Sequence, residues 1–505
     1  MSRWTVRLET PRPAASSRAL ERPWLWRRSG SETNRRARIG RNLRHVLAQF
    51  APTVYCMWRP GETTGAYEVQ ARDSLASAET PSRQRLLPAL GGRVWLLVLV
   101  NCLANVGSGL VLPFLIVYLH ATRGIGLGQA GLLLALIGAA GIAITPLAGA
   151  LADRIGARRT FAIGELVFMA AAVAFIPASN FAQALAPALA SGVAGGLTWV
   201  GLYVMLGEGA PSARRNEAFG ISYALANVGL GIGALTGGFI VKAHSAHSFV
   251  PLFLGDAASN LLFAAVLLTM RDVTANTVAT PTPPRGETPM ATTGYHQVLR
   301  DRALLAVLLV NALLVTVATS QMTSGFPAWV TGPAHSTASV VGAAFAANTV
   351  ALVAAQLLVL RLIRHRRRTS ATAAGAVVFG LGWLVALLGG HAGGGTAAAA
   401  LIATLGIFAI GESLVAPTLP ALVNDLAPSA LRGRYNAVFT LSWQIGPVVG
   451  PALAGLMLGH GLGAEFLLLL AAACLAAAGA MLWLRRLVPM KADVGDRRRR
   501  LGVQA

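Results

Sequence analysis

The chain has 505 residues, of which 54% are hydrophobic and only 12% charged. A soluble chain carries about 25% charged residues, so half of the usual solvating surface is missing, which excludes a soluble globular protein and a disordered one. The net charge of +22 invites a nucleic-acid reading, but that requires the basic residues to share one face, and their placement along the chain says otherwise.

Residues 1–93 hold 17 Arg and 7 acidic residues among scattered Pro, Ser and Trp. No apolar core precedes Trp95, so this is not a cleavable signal peptide. Ile39, Leu43, Val46, Leu47 and Phe50 recur at helical spacing beside Arg38, Arg41 and Arg44, a pattern that suits the surface of the inner leaflet. The plainer reading, a disordered cytoplasmic extension or a start placed too far upstream, is preferred.

A membrane helix needs roughly 20 predominantly apolar residues. Twelve such runs follow, at about 94–118, 127–151, 160–178, 183–206, 217–241, 249–270, 303–324, 338–360, 371–390, 396–421, 435–458 and 463–484. They are continuous rather than alternating, which excludes a membrane β-barrel. The three cysteines, Cys56, Cys102 and Cys474, are too dispersed for a disulfide scaffold or a zinc ribbon.

Charge placement tests the count, because Arg and Lys concentrate in cytoplasmic loops. With the segment before the first run placed inside, the inside loops and the C-terminal tail hold 23 Arg and Lys, and the outside loops hold only Arg123 and Lys242. A missed or invented span would scramble this alternation. The chain therefore reads as an all-α membrane protein with twelve transmembrane helices and both termini cytoplasmic. Its positive charge reports orientation in a bilayer rather than affinity for nucleic acid.

The chain also repeats. The stretch from Glu208 aligns with that from Asp425 at an offset of 217, which superposes Arg215 on Arg432, Gly229 on Gly446, Gly233 on Gly450 and Gly238 on Gly455. Two pseudo-symmetric six-helix bundles follow, at 94–271 and 303–486. They are joined by a cytoplasmic linker at 272–302 and followed by a basic tail at 487–505. Parallel repeats of this kind belong to transporters whose substrate site lies near the bilayer midplane between the halves.

The loop after the second span contains Gly149, Asp153, Arg154, Gly156, Arg158 and Arg159 in the pattern G-x-x-x-D-R-x-G-x-R-R. Glycine lets so short a turn reverse, and Arg holds it at the anionic inner surface. This loop resembles the signature of the major facilitator superfamily, which implies the major facilitator fold. The resemblance further implies that Asp153 and its Arg neighbours lock the halves on the cytoplasmic side and release during transport. The matching C-terminal loop, Arg361 to Thr369, keeps its basic residues but lacks the Asp and Gly, so it is expected to set orientation more than to switch.

The fifth span carries Asn227, Gly229, Gly233 and Gly237, and the eleventh Gly446, Pro447 and Gly450. Small residues at such spacing let helix backbones approach closely. The glycines are similar to a motif of the superfamily's drug:proton antiporters, without its proline. The fourth span also departs from proton-coupled exporters, because Pro187 to Gly196 contains no Arg.

Ionisable residues inside a membrane are expensive and mark functional hypotheses. Four carboxylates qualify: Glu165, Asp256, Glu412 and Glu465. The resemblance places the third, sixth and twelfth helices on the periphery, which ranks Glu412 first for proton coupling, with Asp256 behind it. Coupling needs a carboxyl group withdrawn from water, because desolvation disfavours its charged form. A hydrogen-bonded structural Glu is the competing role. Asn105, Trp199, Tyr203, Asn227, Asn311, Gln321, Glu412 and Trp443 are the candidates for a substrate cavity, each weighed against a role in joining helices.

No G-x-x-x-x-G-K-[ST] loop and no Cys/His cluster occurs, so neither a cofactor nor an enzymatic activity is expected. The expected partners are the bilayer, a small-molecule substrate and protons, with the chain acting as a monomer in the cell membrane. The leading expectation is a secondary transporter that exports small apolar or cationic compounds, drugs or secondary metabolites, by proton antiport. An importer of a neutral solute such as a sugar and a transport-inactive scaffold or sensor are the alternatives.

Overall fold

A computed structural model describes residues 90–211, 214–270, 293–363, 366–428 and 431–494. The N-terminal extension before residue 90, most of the 272–302 linker and the last eleven residues lie outside these, and so do the expectations made for them.

The described residues form helices and no strands. Twelve long segments follow one another. They are α1 (Gly92–Val111, prolonged to Thr122), α2 (Leu127–Ile155), α3 (Ala157–Phe175), α4 (Phe181–Gly209), α5 (Arg215–Ile240) and α6 (Ala246–Thr269). After the linker come α7 (Arg302–Val317, prolonged to Thr331), α8 (Ala338–Ile363), α9 (Arg368–His391), α10 (Gly394–Val415, prolonged to Leu426), α11 (Arg432–Gly459) and α12 (Gly463–Leu484). Among the described residues, eleven are long and apolar enough to cross a membrane. The other, α3, has comparable length but carries Arg158, Arg159 and Glu165.

Local chemistry sets where helices start and break. Asn180 Oδ1 accepts the Gln183 amide at 3.0 Å and so caps α4, and Asp301 Oδ1 accepts the Ala303 and Leu304 amides at 2.9 and 3.1 Å to cap α7. Three of the expected continuous spans are interrupted: α1 tightens at Leu112–Phe114, where Pro113 sits; α7 does so at Thr319–Met322; and α10 breaks at Pro417 before resuming as Thr418–Leu426. Backbone groups freed inside a membrane need new partners. In α7 the Val317 carbonyl accepts the Trp383 indole N–H at 2.8 Å, from the facing α9.

Helices α1 to α6 pack among themselves, chiefly α1 on α5 and α6, and α4 on α2 and α3. Helices α7 to α12 do likewise, with α8 and α9 against α10, and α7 against α11 and α12. The repeat recurs in three dimensions. Gly233 and Gly450, paired at the 217 offset, sit against α1 and α7 respectively, and Gly229 and Gly446 repeat the arrangement one turn earlier. Gly238 meets Ala338 and Gly342 of α8, while its partner Gly455 meets Leu127 and Gly131 of α2. Polar pairs follow the same rule: Asn101 donates to Ser222 Oγ between α1 and α5 at 3.4 Å, and Asn311 to Ser442 Oγ between α7 and α11 at 2.8 Å.

The halves therefore meet along two seams, α2 with α11 and α5 with α8. In both, the contacts at Gly128, Gly131, Gly238, Gly342, Gly455 and Gly459 lie at the helix ends far from the Asp153 loop. At the Asp153 end, nothing approaches the space a Cβ at Gly149 would fill, and Asp153 and Arg154 are exposed. Among the described residues, these glycine contacts that join the halves lie at the end opposite this loop.

Candidate functional site

Two adjoining cavities occupy the centre. The larger, about 800 Å³, lies between the halves and is walled by α1 to α6 on one side and by α7 and α11 on the other. Trp443 and Gln444 of α11 and Ser320 and Thr323 near the α7 break face it. The smaller, about 410 Å³, is a side chamber within the N-terminal half, lined by α1, α3, α4, α5 and α6. Ser108, Phe168, Trp199 and Tyr223 line both. No Lys, Arg or His is among the residues lining either.

Of the residues expected at a substrate cavity, Asn105, Trp199, Tyr203 and Asn227 line the side chamber, and Trp443 faces the larger cavity. Trp199 and Tyr203, one turn apart on α4, pack at a tilt with centroids 4.7 Å apart, and Phe219 of α5 stacks on Tyr203 at 5.3 Å. Asn105 is held by its own helix, donating to the Asn101 carbonyl at 2.7 Å, and Asn227 donates to the Tyr223 carbonyl at 3.0 Å.

Two expected cavity residues are placed elsewhere. Asn311 is fully buried and tied to Ser442, so it joins α7 to α11 rather than facing substrate. Gln321 is also fully buried, because its amide donates to the Thr316 and Gly450 carbonyls, both at 3.0 Å, where α7 breaks. The break could not be read from an uninterrupted apolar run, and it turns this side chain inward to satisfy freed backbone.

The carboxylates rearrange the expected ranking. Glu412 is half-buried on α10 and accepts a hydrogen bond of 3.2 Å from Tyr223 Oη of α5, so it reaches the cavity wall across the seam between the halves. Thr349 Oγ1 of α8 donates to the Asn227 carbonyl at 3.5 Å, one turn further along α5. Asp256 and Glu165, ranked lower because α6 and α3 are peripheral, both turn towards the centre: Asp256 lines the larger cavity and Glu165 the side chamber. A peripheral helix still presents one face to its bundle, and these carboxylates lie on that face. Glu465, at the start of α12, is exposed.

Sequence reasoning missed Tyr223, which lies one turn before Asn227 on the same face of α5 and was within reach of helical periodicity. It also missed Phe168 and Phe219, whose apolar character gave no signal distinct from packing.

The signature loop is built as a turn with a brace. Gly156 ends α2 with φ +90°, a conformation that glycine alone adopts without strain. Arg158 then reaches the end of α6 and donates to the Leu268 and Met270 carbonyls at 3.0 and 2.6 Å, a cation placed where the helix dipole favours one. Arg154 and Arg159 are exposed beside Asp153. In the second half Arg368 pairs with Asp425 at 2.6 Å, and Asp493 accepts the Thr369 amide and hydroxyl at 2.9 and 3.0 Å.

The packing glycines Gly229, Gly233, Gly237, Gly446 and Gly450 each face a neighbouring helix so closely that a methyl group has no room, and Pro447 packs against Gly138 of α2.

Comparison with known proteins agrees with this architecture. The family model described as Major Facilitator Superfamily matches residues 97–408 and 326–503. The MFS-type transporter YttB of Bacillus subtilis (strain 168), itself uncharacterized, is 23% identical over 403 residues, covering 78% of this chain and 96% of that protein. The quinolone resistance protein NorA of Staphylococcus aureus is 28% identical over 166 residues, covering 33% of this chain and 42% of that protein. Among solved structures, a bacterial homolog of the human lysosomal transporter Spinster, inward-facing and occupied, superposes with a TM-score of 0.62 at 14% identity, covering 79% of this chain and 97% of that one. A D-xylose-proton symporter superposes with a TM-score of 0.59 at 14% identity, covering 78% and 98%. The chain belongs to the major facilitator superfamily, and it is accordingly a multi-pass membrane transporter of small molecules and not an enzyme.

Proposed function

We propose that the protein exports small apolar or cationic organic compounds by alternating access, driven by proton entry, with Glu412 as the coupling residue. The observation that carries this reading is the Tyr223–Glu412 hydrogen bond, which ties a carboxylate within the α10 span to the cavity wall of the opposite half. Protonation of Glu412 removes the charge that strengthens this bond, so a proton on α10 bears on contact between the halves. The cavity lining supports the substrate class. It is mainly apolar and aromatic, with a few hydroxyl and amide groups and no cation, and its volume falls within the range of drug-sized sites. Strongly anionic substrates find no partner there. The partial similarity to a quinolone resistance protein agrees with export.

We place the Asp153 loop and both termini on the cytoplasmic side of the cell membrane, supported by the concentration of Arg and Lys in those loops. The reading is tested in inside-out vesicles, where a lipophilic cation is concentrated while the interior is acid and released when the pH gradient is collapsed. Uptake of a sugar instead, with no effect on the cation, would favour the importer.

A further inference from the structure

Beyond α12 the chain folds back against the start of α9 and ends, among the described residues, in the short helix Met490–Val494. Asp493 is buried there, and its carboxylate accepts the Thr369 amide and hydroxyl at 2.9 and 3.0 Å. Arg368 Nη1 donates to the Ala492 carbonyl at 2.7 Å and to the Ala421 carbonyl at 2.9 Å, and it pairs with Asp425. Arg485 donates to Ser370 Oγ, so the end of α12 is tied to the same turn. Residues 366–370, 418–426 and 485–494 together hold six Arg or Lys and two Asp. Both carboxylates are spent inside the knot, on Arg368 and on Thr369. Arg366, Arg486 and Lys491 are exposed around it, and no carboxylate of these segments is left to meet them.

Next to this cationic rim, α9 and α12 pack side by side. They approach at Gly380, where an added Cβ would lie 3.5 Å from Cys474 Cβ and 3.7 Å from Leu475 Cγ. On the outer surface, Val377 and Leu381 of α9 and Leu475 and Leu482 of α12 keep their side chains uncovered. Leu475 and Leu482 are seven residues apart and so share one face of their helix. We propose that this α9–α12 surface binds an anionic phospholipid. Its headgroup phosphate is held by Arg366, Arg486 and Lys491, and its acyl chains lie along Val377, Leu381, Leu475 and Leu482. Basic clusters at helix ends attract anionic headgroups, and the uncovered leucines complete the match, because hydrocarbon covers them without cost in polar contacts. A free phosphate would engage the cations but not the leucines, and a zwitterionic lipid the leucines but less of the charge. The tail is what assembles the rim: without the Asp493 and Arg368 bonds, Lys491 is not held beside Arg366. The site lies on the outer surface, away from the transport path, and stands whether or not Glu412 couples protons.

The test is native mass spectrometry of the full-length protein in detergent micelles, titrated with dioleoylphosphatidylglycerol or dioleoylphosphatidylcholine, with inorganic phosphate as competitor. The wild type is expected to hold phosphatidylglycerol about thirtyfold more tightly than phosphatidylcholine, the ratio expected of two cations at an anionic headgroup, and inorganic phosphate is expected not to displace it. Arg366→Gln/Arg486→Gln is expected to remove that preference. Arg215→Gln/Arg432→Gln takes the same charge from the starts of α5 and α11 and is expected to leave it intact. Asp493→Ala adds net positive charge but releases the tail, so binding of phosphatidylglycerol is expected to weaken severalfold, whereas attraction by charge alone would strengthen it. Equal binding of the two lipids by the wild type overturns the proposal, as does displacement by inorganic phosphate. An undiminished preference in Arg366→Gln/Arg486→Gln, an equal loss in Arg215→Gln/Arg432→Gln, or tighter binding in Asp493→Ala does so too.

Discussion

Tyr223 Oη donates a hydrogen bond of 3.2 Å to Glu412 Oε1, from α5 in one half of the molecule to α10 in the other. Tyr223 is about eight residues into α5, roughly 12 Å along the axis at 1.5 Å per residue, which puts the bond near mid-depth. The seams beyond it are closed by glycine contacts.

Tyr223→Phe keeps the ring in the cavity wall and removes the bond. A hydrogen bond of this kind is worth about 1 kcal/mol, a shift of roughly fivefold in the balance between the two access states. Transport in vesicles is expected to fall severalfold with the yield of folded protein unchanged. Glu412→Gln is expected to remove the dependence on the pH gradient. Wild-type rates in both variants would remove this pair from the coupling step.

The α2–α11 seam must part if the two ends open alternately. A Cβ added at Gly459 lies 3.3 Å from the Gly128 nitrogen and 4.0 Å from its Cα, close to the spacing a disulfide spans. The double variant Gly128→Cys/Gly459→Cys is expected to cross-link under mild oxidation and to stop transport, with recovery on reduction. Full cross-linking with undiminished transport would show that this seam stays closed throughout the cycle.

Gly156 and Asp153 should separate fold from switching. Gly156→Ala places a side chain at φ +90°, a strain of about 1–3 kcal/mol, and is expected to lower the thermal unfolding midpoint. Asp153 is exposed without a hydrogen bond to the described residues, so Asp153→Asn should leave that midpoint unchanged. Its expected effect is on turnover, as the switching role implied by the resemblance of its loop requires. A loss of stability in Asp153→Asn, with turnover kept, would contradict this division.

Arg158 braces α3 to the carbonyl end of α6. Charged hydrogen bonds contribute about 1.5–3 kcal/mol each, so Arg158→Ala is expected to lower the unfolding midpoint by several degrees. Arg158→Lys, which keeps the charge but not the fork, should recover part of the loss. Equal stability of all three proteins would show the brace to be idle.

The spans, the repeat and the signature turn were legible because each rests on a periodic or positional signal that one sequence carries. Continuous apolar runs gave the helices, and the 217 offset located Gly233 and Gly450 at contacts that prove equivalent in space. The helix breaks were not legible, since an apolar run, with or without a proline, does not reveal whether the backbone kinks or continues. That is why Gln321 was expected in the cavity and is instead spent on freed carbonyls. Asn311 misled for a related reason, because an embedded amide looks the same whether it meets a ligand or a serine on the next helix. Glu165 and Asp256 were ranked below Glu412 by which helix they occupy, whereas the face on which they lie decided their surroundings. Tyr223 required the partner helix to be seen.

The central claim is that proton entry drives export through the cavity that Tyr223 and Glu412 close from opposite halves. Its most direct measurement is uptake of a lipophilic cation into inside-out proteoliposomes of the purified protein under an imposed pH gradient, with pH-sensitive fluorescence recorded at the same time. The account predicts that adding the cation releases protons from an acid lumen, that wild-type protein accumulates it, and that Glu412→Gln does neither. Accumulation that persists after the gradient is collapsed, or proton release that is unchanged in Glu412→Gln, would contradict it.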